Sequence, residues 1–131
     1  MGYNSSTTFG IRFEAYDCTF TFAAYAPCYG GSYTNASDVR LKKDIIDMRY
    51  GLDTVLRMKP REFKFKYDNK PYVGFIAQEM AQCVPEVVNA PEDPEETWGI
   101  DYASLVSVLC KAIQKLMQEV DELRAIISEC V

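Results

Sequence analysis

Ser37 and Lys42 are the two residues of this chain whose types could support covalent chemistry, because Ser37 is a potential nucleophile close to clustered lysines. A serine hydroxyl is a weak nucleophile at neutral pH and needs a neighbouring base. Because the chain contains no histidine, every serine–histidine arrangement is excluded. A lysine is the remaining common base, but it acts near neutral pH only if burial or nearby cations lower its reference pKa of about 10.4 by roughly 3 units. Arg40 and Lys43 flank Lys42 and would contribute such repulsion. The reaction open to this pair is a cut in its own chain.

The spacing of the pair constrains the local structure. Positions i and i+5 lie on different faces of an ideal helix, so Ser37 and Lys42 meet only if the chain turns between them. We therefore expect Ser37 in a loop or at a strand end. The alternative is a purely structural role, in which Ser37 is a helix N-cap and Arg40, Lys42 and Lys43 form a solvated face.

Five sequence runs resemble one known family. They are SDVRLKKDI (37–45), LRMKPREFKFK (56–66), VGFIAQEM (73–80), VPEVV (84–88) and IDYASLV (100–106). Their order and spacing resemble the intramolecular chaperone autoprocessing domain, the peptidase S74 family. That family occurs at the C-termini of bacteriophage tailspikes, endosialidases and tail fibres, and in the myelin regulatory factor. The resemblance runs from Ser37 to about Leu123.

The resemblance implies a chaperone that trimerises, helps the preceding fibre to fold and then releases itself through a Ser-Lys dyad. It implies a scissile bond between Ala36 and Ser37, with Ser37 as the nucleophile and Lys42 as the base. Asp38 and Arg40 match other recurrent positions of the motif and are expected to have supporting roles. No cofactor is expected, and the partners are other copies of the chain and the preceding fibre segment. The expected location is the bacterial host cytoplasm during assembly and the virion tail fibre or spike before release.

Two other functions remain open from the sequence. One is a trimerisation cap that stays on the fibre without cutting. The other is a membrane-tethered regulator like the myelin regulatory factor, but residues 1–36 contain no DNA-binding pattern to support it.

Composition and charge limit the partners. The net charge of −5 gives no indication of nucleic-acid binding. No apolar run approaches the ~18 residues of a membrane span, and the opening residues are not typical of a signal peptide. We therefore expect a soluble protein made in the cytosol, without a membrane partner. The five cysteines include no C-x-x-C pair and are expected to be free thiols rather than metal ligands, although Cys18 and Cys28 could pair.

Residues 1–36 differ in composition from the rest of the chain. Aromatic residues alternate with small or polar ones, and lysine is absent until position 42, which is typical of strands. The parity of the apolar positions changes near Ala15, which predicts a bulge or turn there. We interpret residues 1–36 as the end of a β-structured fibre. The alternative is that they form a sheet of the following domain.

Residues 37–131 predict a small α+β domain. A short helix is expected between Asp44 and Pro60, followed by strands at 61–67 and 72–75 joined in a β-hairpin by the turn at 68–71. A helix at 76–83, an extended piece at 86–89 and an acidic surface loop at 91–96 come next. Gln78 and Glu79 are expected to have packing or capping roles rather than catalytic ones.

The domain is predicted to end in a coiled-coil helix at about residues 102–130, with Asp101 as its N-cap. Spacings that alternate between three and four are typical of a seam, and its members are Val106, Leu109, Ile113, Leu116, Val120, Leu123, Ile127 and Cys130. Burying its seven aliphatic side chains at ~1.5–3 kcal/mol each gives a gross driving force of order 10–20 kcal/mol. This favours self-association over the alternative of a helix packed on its own domain. Ile or Val at a with Leu at d favours dimers, whereas Ala112, Met117 and Ile126 widen the apolar face to suit three strands. The family resemblance favours a homotrimer.

Overall fold

The computed structural model describes residues 34–131. The strands predicted at the start of the chain, and both Cys18 and Cys28, lie outside the described residues. The chain divides into two units, Met1–Lys43 and Asp44–Val131. Within the first unit, residues 34–43 are exposed and include a 3₁₀ turn, Val39–Leu41.

The second unit combines short helices and strands with one long helix, which confirms the predicted α+β class. Its helices are α1 (Leu52–Arg57), α2 (Ala77–Met80) and α3 (Tyr102–Glu129), and its strands are β1 (Arg61–Phe63), β2 (Tyr72–Gly74), β3 (Val88–Asn89) and β4 (Gly99–Ile100). A second 3₁₀ turn, Pro85–Val87, replaces the first part of the extended piece predicted at 86–89. The helix predicted at 76–83 is shorter than expected, because only Ala77–Met80 is α-helical.

β1 and β2 form the predicted antiparallel hairpin, with Glu62 opposite Val73. Asp68 fixes the connecting turn through its carboxylate. One oxygen accepts a hydrogen bond from the N–H of Lys70 at 2.9 Å, and the other accepts one from the Tyr72 hydroxyl at 2.8 Å. This is the turn chemistry typical of aspartate.

The strand predicted over 61–67 ends at Phe63. Beyond it, Phe65 stacks on Tyr67 with ring centroids 5.0 Å apart and meets Tyr72 edge-on at the same distance. The alternating aromatic residues therefore pack on one another and do not extend the ladder.

The second pairing joins β3 to β4 in antiparallel register, with Val88 opposite Ile100. The N–H of Asp101 donates to the carbonyl of Val87 at 2.7 Å. Asp101 is the N-cap of α3, as predicted, because its carboxylate accepts a hydrogen bond from the N–H of Ser104 at 3.2 Å. The β3–β4 pairing thus fixes the point at which α3 begins.

The core is small, and α1 packs against α3 beside it. Its buried side chains are aliphatic or methionine and are Met58, Met80, Val84, Val87, Leu105 and Val108. Each contributes ~1.5–3 kcal/mol when fully buried. Met80 and Val84 are each only 1% exposed, so they are the centre of this cluster.

Helix α3 buries one stripe and exposes another. Leu105, Val108 and Ala112 are the buried residues of the helix. The predicted seam is a different stripe of the helix. Six of its side chains are 44–66% exposed in the single chain, and they are Val106, Leu109, Ile113, Leu116, Leu123 and Ile127. Val120 in the same seam is half-buried. The helix therefore packs on its own domain through residues outside the seam and leaves the seam accessible. None of the helices within residues 34–131 combines the length and the apolarity that a membrane crossing requires.

Candidate active site

The side chains of Ser37 and Lys42 meet in the first unit. The Nζ atom of Lys42 lies 2.7 Å from the Oγ atom of Ser37, within hydrogen-bond reach, and the amine donates to the hydroxyl. An unprotonated amine at that distance can instead accept the hydroxyl proton, which is the geometry that general-base activation of a nucleophile requires. The distance between the two side chains therefore permits proton transfer from Ser37 to Lys42.

A 3₁₀ turn brings the two residues together. Ser37 lies in irregular backbone before it, as predicted. The N–H of Leu41 donates to the carbonyl of Asp38 at 3.0 Å, and the N–H of Lys42 donates to the carbonyl of Val39 at 3.1 Å. The N-cap of this turn is Asp38, so the alternative in which Ser37 is the cap is wrong.

Asp38 and Arg40 form a two-point ion pair in the turn between Ser37 and Lys42. The Asp38 carboxylate accepts hydrogen bonds from the backbone N–H of Arg40 at 2.8 Å, from its Nε at 3.0 Å and from its Nη2 at 2.8 Å. The side-chain and backbone bonds from Arg40 hold the pKa of the Asp38 carboxyl below its usual value. Because the Arg40 guanidinium is paired with Asp38, the carboxylate offsets much of the repulsion that we expected Arg40 to exert on Lys42.

Both members of the pair are exposed to solvent in the single chain. Ala36, Ser37 and Lys42 all belong to the exposed segment 34–43. Water therefore competes with each side chain for hydrogen bonds to the other. The single chain supplies a short distance between Ser37 and Lys42 but, within the described residues, leaves both side chains open to water.

Glu79 forms an ion pair in the second unit, where we expected a packing or capping role. Its carboxylate accepts hydrogen bonds from Arg61 at 3.0 and 2.5 Å, and the Nζ of Lys59 lies 3.9 Å away. The hydrogen bond from Arg61, more than the two nearby positive charges, lowers the pKa of Glu79. This pair attaches α2 to β1. Gln78 next to it is exposed.

A second anchored carboxylate, Glu86, does not follow from the sequence pattern. It accepts hydrogen bonds from the Tyr50 hydroxyl at 2.6 Å and from Arg49 at 2.5 Å. The hydrogen bond from Tyr50, more than a backbone hydrogen bond or the positive charge of Arg49, lowers the pKa of Glu86. The partners are 36 and 37 positions apart in the chain, so no local spacing could indicate the contact.

The described residues offer no metal centre. Between residues 34 and 131, no group of three or more cysteine and carboxylate side chains is placed to hold an ion. Cys83, Cys110 and Cys130 are free thiols.

The comparison with known proteins agrees with the motif carried by these residues. Residues 37–89 match the family model described as chaperone of endosialidase, peptidase S74. Two curated relatives are the long tail fibre proteins Gp37 of Enterobacteria phage M1 and Enterobacteria phage Ox2. Each is 32% identical to this chain, over 121 and 120 residues respectively, and the match covers 83% of this chain. It covers 46% of each relative, so the chain spans less than half the length of the curated relatives that it matches.

Proposed function

We propose that this chain, whose residues 37–89 match the peptidase S74 chaperone family, trimerises, assists the folding of a phage tail fibre and then releases itself by cutting the bond between Ala36 and Ser37. Residues 37–131 are the chaperone domain in this proposal, and residues 1–36 are the end of the fibre that it helps to fold. The partners are two further copies of the chain and the fibre segment. The protein acts in the host cytoplasm during assembly and remains on the virion tail fibre or spike until release.

The observation that carries the proposal is the 2.7 Å contact between Lys42 Nζ and Ser37 Oγ. In the proposed reaction, Lys42 removes the hydroxyl proton of Ser37 as Oγ attacks the carbonyl carbon of Ala36. The C–N bond then breaks, the proton passes to the departing amine, and an ester joins Ala36 to the Ser37 side chain. Water hydrolyses this ester, which leaves a carboxylate on Ala36 and a free amine and hydroxyl on Ser37.

Assembly is proposed to complete the site. The pair is exposed in one chain, whereas a lysine base needs desolvation or nearby positive charge. The exposed seam of α3 supplies the means of assembly, because six large aliphatic side chains lie along it. A neighbouring subunit that covers Ser37 and Lys42 would exclude water and make the amine a stronger general base.

A trimerisation cap that does not cut is the second candidate function. The feature that favours it is the seam, which lies in the second unit and involves neither Ser37 nor Lys42. A cap therefore requires only the part of the molecule that drives self-association.

The deciding experiment is mass spectrometry of the purified full chain over several days at neutral pH. Self-cleavage gives two products, residues 1–36 and residues 37–131, from the 14.9 kDa chain. Ser37→Ala should stay at full mass, since the nucleophile is removed. Ser107→Ala, at an exposed serine of α3, is the control and should be cut like the wild type. A wild-type trimer that persists at full mass would favour the cap.

A further inference from the structure

Asp38 organises the segment between the nucleophile and the base. Its backbone carbonyl accepts from Leu41, and its side chain accepts from the backbone N–H of Arg40. A side-chain acceptor at an N-cap satisfies a backbone donor that otherwise lacks a partner. Asp38 therefore stabilises the first turn of backbone after Ser37 by two independent hydrogen bonds.

The turn decides whether the two catalytic groups meet. Five residues of extended chain would separate the Cα atoms of Ser37 and Lys42 by roughly 16 Å, at about 3.3 Å per residue. With the turn in place, Nζ and Oγ are 2.7 Å apart. Loss of the turn would therefore separate the base from the nucleophile. The rate of a reaction falls steeply when its reacting groups are out of position.

The Asp38 carboxylate would harm the base if it were unpaired. Asp38 and Lys42 are the N-cap and C-cap of the same short turn, and a negative charge near an amine favours the protonated form. The guanidinium of Arg40 meets both carboxylate oxygens, at 3.0 and 2.8 Å. Such a two-point contact is stronger and better oriented than an ordinary surface ion pair. Arg40 thus offsets the charge while Asp38 keeps its hydrogen bond to the backbone.

We propose that Asp38 and Arg40 are positioning residues of the Ser37–Lys42 pair. Asp38 holds the turn that brings Lys42 to Ser37, and Arg40 cancels the carboxylate charge so that the turn does not favour a protonated base. This proposal rests on the proposed function, since it assigns roles in the same cutting reaction.

The rate of self-cleavage, measured as a function of pH in the assembled full chain, distinguishes the two roles. The plateau rate at high pH reports the turn, and the pH at half of that rate, the midpoint pH, reports the charge near the base. Asp38→Ala removes the cap, and we expect the plateau rate at high pH to fall about five- to tenfold. Asp38→Asn keeps an oxygen that can accept from the Arg40 N–H, so its plateau should remain near the wild-type value. Its midpoint pH should fall by about half a unit, because Arg40 is then an uncompensated cation.

Arg40→Ala tests the charge alone, since the backbone N–H that bonds Asp38 is retained. We expect a plateau near that of the wild type and a midpoint pH raised by about half a unit. Arg40→Lys restores the charge and should return the midpoint towards the wild-type value. A merely structural role for Arg40 would lower the plateau and leave the midpoint in place.

A measurement independent of cutting separates this proposal from the proposed function. In the Ser37→Ala background, which cannot cut, NMR contacts between the methyl group at position 37 and the Lys42 side chain report the turn. They should persist with Asp38→Asn and disappear with Asp38→Ala. The positioning roles are wrong if the NMR contacts are the same with and without the Asp38 substitutions and if the midpoint pH of all four variants equals that of the wild type. This holds even where the wild-type chain cuts itself. If the contacts change as expected but no wild-type chain cuts, only the proposed function fails.

Discussion

A side chain at position 74 would collide with Tyr102, because a Cβ atom built on Gly74 lies 2.7 Å from the Tyr102 hydroxyl oxygen. The same hydroxyl accepts a hydrogen bond from the N–H of Phe75 at 3.0 Å. Gly74 is thus needed for a close approach rather than for an unusual backbone angle, since no described glycine has positive φ. The contact attaches the β1–β2 hairpin to the first turn of α3.

Gly74→Ala should destabilise the protein. The methyl group must displace Tyr102 and thereby weaken the Phe75 hydrogen bond, which is worth about 0.5–1.5 kcal/mol. The matched control is Gly99→Ala, because nothing lies within 4 Å of a Cβ there. In urea denaturation at one chain concentration, Gly74→Ala should be about 1–2 kcal/mol less stable than Gly99→Ala.

A double-mutant cycle identifies the collision as the cause. Tyr102→Phe removes the hydroxyl, so Gly74→Ala should cost clearly less in that background than in the wild type. Equal costs in the two backgrounds would mean that Tyr102 is not what constrains position 74.

The ion pair of Glu79 with Arg61 makes stability depend on pH in a defined direction. The hydrogen bond from Arg61 lowers the pKa of Glu79 below the ordinary value of 4.5. A carboxyl with a lowered pKa in the folded state contributes stability above its unfolded pKa, and that contribution is lost as the pH falls through the folded value. Glu79→Gln should therefore lower the urea midpoint at pH 7, and the difference from wild type should shrink from about pH 4.5 downwards.

The control for this comparison is Glu62→Gln, at an exposed glutamate of β1. Its difference from wild type should be small at every pH. A Glu79→Gln difference that stays constant from pH 7 to pH 3 would show that the ion pair is not responsible.

The secondary structure followed from the sequence where local chemistry decides it. Asp68 and the residues around it predicted the hairpin turn, and Asp101 predicted the start of α3, because both carboxylates bond backbone donors within three residues. The length of β1 did not follow, since Phe65 and Tyr67 continue the alternation of apolar and charged residues but stack on each other. Period alone does not distinguish a strand from a cluster of rings.

The site followed only in part for a similar reason. The pairing of Ser37 with Lys42 was predicted from the family resemblance, and their spacing predicted a turn between them. The residue that caps this turn, Asp38, could not be told from Ser37 by spacing. Contacts between distant positions, such as Tyr50 with Glu86, leave no periodic signal. The buried stripe of α3 was also missed, although Leu105 and Val108 repeat at the helical spacing, because the seam beside it has the same period.

The seam predicts a homotrimer that charge can dissociate. Leu116 and Leu123 are 46% and 59% exposed in one chain, and burying a carboxylate in their place within an apolar seam is costly. Light scattering should give about three times 14.9 kDa for the wild type and one chain mass for Leu116→Asp/Leu123→Asp. Gln114→Asp/Gln118→Asp adds the same charge at exposed positions of α3 outside the seam and should remain trimeric. A wild-type monomer at micromolar concentration would contradict this prediction.

Cutting should depend on assembly. If a neighbouring subunit desolvates Lys42, the Leu116→Asp/Leu123→Asp chain should stay at full mass although Ser37 and Lys42 are unchanged. The Gln114→Asp/Gln118→Asp control should be cut at the wild-type rate. Efficient cutting by the monomeric variant would mean that one chain contains the complete site.

Lys42→Arg tests the base itself. A guanidinium keeps the positive charge and can still donate a hydrogen bond to the Ser37 hydroxyl, but it does not deprotonate in proteins and cannot accept the hydroxyl proton. The rate of cutting should fall at least about 100-fold, which is the lower range for loss of a general base, while the trimer mass stays the same. Lys43→Arg is the matched control, one residue away, and should cut at a rate close to the wild type. The wild-type rate should decrease as the pH is lowered, because only an unprotonated amine can accept the hydroxyl proton, and the chain contains no histidine to act as a second base. Normal cutting by Lys42→Arg would exclude Lys42 as the base and leave the 2.7 Å contact with Ser37 as a structural hydrogen bond.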